Sequence, residues 1–135
     1  MATSAPLDHS GLEVLGFDEC LKLLASQPVG RLAFVEAGEP VILPVNHAVD
    51  GLDVVFRTTT GSKLDAALRG SVVAFEVDGW DDLYRNGWSV LVRGRLEEVD
   101  PDDVAGVLLR PYANRVDRDR YVRIIADEVT GRRIV

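Results

Sequence analysis

Several residue types are scarce or missing here. Cys20 is the only cysteine, so no internal disulfide can form. Its surroundings, FDECLKLL, suit a small buried residue better than a nucleophile. With His9 and His47 as the only histidines, no metal-ligand cluster can be assembled. Lysine is also rare. Lys22 and Lys63 are the only two among 15 cationic residues, which leaves 15 − 2 = 13 arginines. Arginine suits fixed, bidentate anion contacts. Acids outnumber cations 22 to 15, for a net charge of −7. That balance argues against a general nucleic-acid face, which needs cations to displace counterions. It argues equally against an anionic membrane surface. No apolar run reaches the roughly 18 residues of a membrane span. The opening MATSAPLDHSG lacks the basic-then-apolar order of a signal peptide. A cytoplasmic protein with neither nucleic-acid nor membrane partner is expected. Internal repeats, low-complexity tracts and Ser–His–Asp or Cys–His constellations are missing too.

What is present fits one domain. A chain of 135 residues at 47% hydrophobic can bury a core. Residues 1–11 read as a flexible leader and 12–135 as the domain. GFDECLKLLASQPVG spaces Phe17, Leu21 and Leu24 as a helix does, and Pro28 and Gly30 end it. The expected span is 17–26. The period then changes. Three β-type runs are separated by a looser Gly38-Glu39-Pro40 turn and by Asp50-Gly51, a tight-hairpin signal. Pro44 marks an edge, bulge or bend in the middle strand. LDAALRG reads as a two-turn helix closed by Gly70. SVVAFEVDGW and GWSVLVRGRLEEV are strands, and the second alternates Val90, Val92 and Gly94 against Leu91, Arg93 and Arg95. DPDDVAGVLL opens a helix, with Asp100 as cap and Pro101 at the first position. RYVRIIADEVTGRRIV closes the chain with one or two strands. The sum is a mainly β protein with three short helices. Its six or seven antiparallel strands favour a small β-barrel.

The stretch RTTTGSK, residues 57–63, joins a strand end to a helix start. Unpaired helix N–H groups and the helix dipole favour an anion there. Arg57 and Lys63 supply charge, Thr58, Thr59 and Ser62 supply donors, and Gly61 allows close approach. The chemistry suits one phosphate monoester. Neither Walker spacing nor GxGxxG is present. A capped helix with solvated cations is the competing reading.

Taken in order, PVGRLAF, PVILPVN, VVFRTTTGSKL, VAFEVDG, GWSVLVRGRLEEV and YVRIIADEVTGRRI resemble one family across residues 12–135. It is the pyridoxamine 5′-phosphate oxidase-like family of flavin-binding split β-barrels. The similarity is to its small bacterial branch, which includes nitroimidazole-reductase-like proteins. The resemblance implies an FMN-dependent oxidoreductase acting on a small organic substrate. It also implies a homodimer with FMN at the subunit interface. Arg57, Thr58, Thr59, Ser62 and Lys63 would hold the phosphate, and Pro44, Val45 and Asn46 would meet the flavin ring through backbone and amide. Trp88 and Ser89 would come from the partner subunit, with Arg132 or Arg133 as a further cation. TGRRIV lacks the Arg–x–His arrangement that grips pyridoxamine phosphate, so synthesis of pyridoxal phosphate is not expected. Deazaflavin or haem are alternative cofactors, and flavin storage without turnover is an alternative role. His47 is the one candidate proton donor or axial haem ligand. A strand histidine with one solvated face is the plainer reading. Trp80 and Trp88 either stack on a ring or plug a barrel end. Asp78, Asp81 and Asp82 flank Trp80 and read as a turn of solvated acids, with a paired-carboxylate site as the alternative.

Overall fold

The computed structural model describes residues 6–58, 65, 67–104 and 120–134. In order these give β1 (Glu13–Val14), α1 (Phe17–Ser26), β2 (Val29–Glu36), β3 (Glu39–Asp50), β4 (Asp53–Thr58), β5 (Val72–Asp81), β6 (Asn86–Val99) and β7 (Arg120–Arg133). Short 3-10 turns lie at Ala67–Arg69 and Pro101–Val104.

Alternation builds the barrel. Side chains two apart on a strand share a face, and along β6 Val90, Val92 and Leu96 are buried while Arg93, Arg95 and Glu97 are exposed. All pairings are antiparallel. The strand order β7-β4-β3-β2-β5-β6 closes on itself through β6–β7, and β1 adds to β7. The expected mainly β split barrel of six to seven strands is therefore what forms. Its interior holds Leu32, Phe34, Phe56, Phe75, Val92 and Ile124, among others. Burying each such side chain stabilises the fold by about 1.5–3 kcal/mol.

Helix α1 spans the expected residues. It buries Cys20 and Leu24, with Leu24 only 1% exposed. The other two expected helices fall only partly within the described residues. Among the described residues, LDAALRG contributes a 3-10 turn, and DPDDV a second one. Residues 64, 66 and 105–109 of the two stretches lie outside the described residues, and Gly70 with φ +101° ends the first. The closing segment is one strand of 14 residues. Residues 6–11, read as part of a leader, form a turn built on Asp8. Its Oδ1 accepts from Ser10 and Leu12 N–H, and Val14 N donates to Pro6 carbonyl.

Both hairpin turns sit differently from expectation. Glu36 pairs with Glu39, so the first turn is Ala37-Gly38, with φ +50° and +80°. Two positive φ values match the strand twist in a type I′ turn. Glu39 and Pro40 belong to β3, so the turn is tighter than a GEP loop. Asp50 pairs with Asp53, which makes Gly51-Leu52 the second turn. Gly51 takes φ +62° at its first central position, as a type II′ turn requires.

β3 changes neighbours midway. Residues 39–46 pair with β2, and residues 47–50 pair with β4. Continuing the β3–β4 register would set Arg57 opposite Asn46 and Thr58 opposite Val45. No ladder pairs form there, so the two strands part. Pro44, which has no N–H to offer a second neighbour, lies on the open edge.

Candidate functional site

The split between β3 and β4 brings together two groups of expected site residues. Pro44, Val45 and Asn46 form one lip, and Arg57 and Thr58 end the other. Thr59, Ser62 and Lys63 lie outside the described residues. Val45 is 9% exposed and faces inward, so only its backbone is offered to the split. Asn46 faces outward. Its side-chain Nδ2 is buried and has no hydrogen-bond partner. Buried donors are nearly always satisfied, and an orphan calls for an explanation. Here it is an amide N–H beside an unpaired strand edge. A ring carbonyl would satisfy it, so these residues fit a flavin. Arg57 and Thr58 project to opposite faces. Thr58 is buried, while the Arg57 guanidinium lies 5.1 Å over the Tyr121 ring. That contact fixes a cation at the mouth of the split.

His47, next along β3, is inside the barrel at 7% exposure. Its Nε2 donates to the Leu24 carbonyl at 2.7 Å, and its ring meets Phe75 edge-on with centroids 4.9 Å apart. Burial pushes its pKa below the usual histidine value, against the pull of the Leu24 carbonyl. A neutral ring that ties α1 to the barrel is a core element. The solvated strand histidine expected from sequence is not what forms.

The third group of expected residues is elsewhere. Ser89 pairs with Arg132, and both line a cleft of about 330 Å³ with Trp80 and Trp88. Arg132 Nε donates to Asp8 Oδ2 at 3.0 Å. Arg133 bonds Glu19 instead. On the outer face β2 and β5 lie between β3 and β6. Three strand steps and a shift of two or more residues along the strands separate this cleft from Pro44. One chain therefore holds the expected residues in two separate places.

Between them lies a cluster of three charged side chains. Arg31 Nη1 is 3.2 Å from both Glu76 Oε1 and Asp78 Oδ2. Glu76 is pushed up to about 7, by loss of water and by Asp78, against the pull of Arg31. Asp78 thus belongs to this cluster and not to a solvated turn. Asp81 does serve a turn, accepting from Leu83 and Tyr84 N–H. Among the described residues no His, Cys, Asp or Glu group can hold a metal ion. None of their helices is long and apolar enough to cross a membrane.

Comparison with known proteins identifies the family. A family model described as pyridoxamine 5′-phosphate oxidase matches residues 17–133. The chain belongs to this family. An uncharacterised protein of Mycobacterium tuberculosis is 44% identical over 126 residues, covering 87% of this chain and 82% of its own. A solved structure from Mycobacterium smegmatis, described as an FAD binding protein, is 34% identical with a TM-score of 0.77. The match covers 90% of this chain and 99% of that one. An FAD-binding protein from Mesorhizobium loti is 23% identical with a TM-score of 0.72, covering 92% and 99%. At that identity it speaks for the fold alone.

Proposed function

We propose that the protein binds a flavin in the β3–β4 split and is a flavin-dependent oxidoreductase acting on a small organic substrate. The observation that carries this reading is the buried, partnerless Asn46 N–H beside an unpaired strand edge. Asn46 and the backbone of Pro44 and Val45 bind the ring. Arg57 and Thr58 begin the phosphate-binding segment, with Thr59, Ser62 and Lys63 following in sequence. A bound flavin supplies hydride or electron transfer, and the protein orients it and tunes its surroundings. The chain's own residues would hold the ring against the β3 edge.

FMN is the minimal ligand. FAD is the second reading, favoured by the 34% identical M. smegmatis relative described as binding FAD. His47 is tied to Leu24 through Nε2, while its buried Nδ1 has no partner.

The working unit in this reading is a homodimer. The outer face of β2, β3 and β5 forms a shallow pocket of about 250 Å³, lined by Ala33, Ala74 and a 66% exposed Ile42. It carries both signs of charge, in Arg31 and the Glu76–Asp78 pair, so it can complement itself across a two-fold axis. A partner would bring its Ser89–Arg132 cleft to this chain's split.

The test is to purify the protein, record its visible spectrum, and follow NAD(P)H oxidation with nitroaromatic and quinone acceptors. A flavin spectrum that bleaches with reductant and returns with acceptor supports the reading. A flavin that never cycles reduces it to storage.

A further inference from the structure

The β5–β6 hairpin carries the only two tryptophans of the chain, and strand alternation separates them. Trp88 stands opposite Gly79, and Trp80 opposite Gly87. Directly opposed residues share a face, whereas neighbours on one strand do not. Trp88 therefore joins Val90 and Val92 and packs on the core. Trp80 joins Asp78, Ser89 and Arg132 on the outside. Its indole lies across the bare peptide of Gly87, where a Cβ would come 2.6 Å from Trp80 Cε3. Although 59% exposed, the indole is held at its edge, with Nε1 donating to Asp82 Oδ1 at 2.7 Å. A large aromatic surface, backed and fixed but open to solvent, has already lost the freedom that binding would otherwise remove.

We propose that the cleft at Trp80 is a stacking subsite for a planar heteroaromatic ring, with Trp80 as platform and Ser89 and Arg132 as its polar rim. The cleft of about 330 Å³ is at the small end of ligand pockets, enough for one ring system. Its charge does not select an anion, because Arg132 is paired with Asp8, Arg133 is paired with Glu19, and Asp78 stands on the other side. The ring face is thus what the cleft recognises. Two sources supply such a ring: the flavin itself, which rests on the reading above, or the nicotinamide of a reductant, which does not.

Two tryptophans make the test clean. Indole ¹⁵N labelling gives two N–H signals, assigned with Trp80→Phe and Trp88→Phe. FMN and nicotinamide mononucleotide are titrated separately, and equilibrium dialysis reads binding in parallel. The Trp80 signal should move saturably with at least one ring. Trp80→Ala should weaken that ring by about tenfold or more, and Trp80→Phe by less than about threefold, in keeping with stacking energies. Movement with nicotinamide mononucleotide while dialysis shows no FMN binding supports the subsite and sinks the flavin reading. The proposal is overturned if neither ring moves the signal or if Trp80→Ala binds like the wild type. It also falls if the signal follows protein concentration instead of ligand, since a second copy then covers the indole. The wild-type spectra decide the matter even if Trp80→Ala folds poorly.

Discussion

Replacing Asn46 by leucine should move stability and flavin affinity in opposite directions. Asn46 Nδ2 is buried without a partner. Leaving a buried amide N–H unsatisfied costs about 1–3 kcal/mol. Leucine keeps the branching of asparagine and removes the donor. The gain should fall near the low end, about 1 kcal/mol, because the rest of the residue is half-buried and its oxygen loses water. In urea this appears as a higher midpoint for the flavin-free protein at unchanged slope. With flavin present the sign reverses. The N–H then meets a ring carbonyl, and removing a bond of ~1.4 kcal/mol weakens binding roughly tenfold. Flavin fluorescence titration reads that loss. The reasoning is refuted if Asn46→Leu destabilises the flavin-free protein by more than about 1 kcal/mol. It is refuted equally if FMN and FAD bind the variant as tightly as the wild type.

Four further outcomes follow from the same contacts. Arg57→Ala should weaken FMN by about tenfold to hundredfold, the size of a charged hydrogen bond. Riboflavin, which has no phosphate, should lose little in a parallel titration. Gly30→Ala places a Cβ 2.2 Å from Phe75 Cζ, where ordinary contact begins at 3.4 Å, so a fully buried ring must shift by 3.4 − 2.2 = 1.2 Å. Overpacking of this kind costs about 1–3 kcal/mol, and an unchanged melting temperature would mean that Phe75 has room. His47 has a pKa lowered by burial, so its contribution to stability is present above about 6.5 and lost as pH falls below it. Urea melts at pH 7.5 and 5.5 should differ less for His47→Gln than for the wild type. Glu76, raised to about 7 from 4.5, works the other way. Its contribution is complete below about 4.5 and is lost as pH rises through 7. Glu76→Gln should flatten the fall in stability between pH 6 and 8.

The barrel was legible because alternation and helical spacing are written residue by residue. The span of α1, the β6 faces and the open edge at Pro44 all follow from local pattern. The turns were legible as turns but not to the residue. Register decides which two residues lie between paired strands, and Glu39-Pro40 look like turn chemistry while lying within β3. Of the two other expected helices, only short 3-10 turns fall within the described residues. In the site, RTTTGSK and LPVN were readable as polar and edge features. Their meeting across the split depends on where β3 changes partner, which is a property of the closed sheet. The Asn46 orphan and the Arg31–Glu76–Asp78 cluster are equally invisible in one dimension. Trp80 and Trp88 looked alike in sequence. Only the pairing with Gly87 and Gly79 sends one outward and the other to the core.

The most direct test of the central claim is mass spectrometry of whatever small molecule is released when the freshly purified protein is denatured, with absorbance giving its amount. The account predicts a flavin, as FMN or FAD, approaching one per chain after reconstitution. A colourless protein that releases no flavin, and takes up neither FMN nor FAD at micromolar concentration, would contradict it.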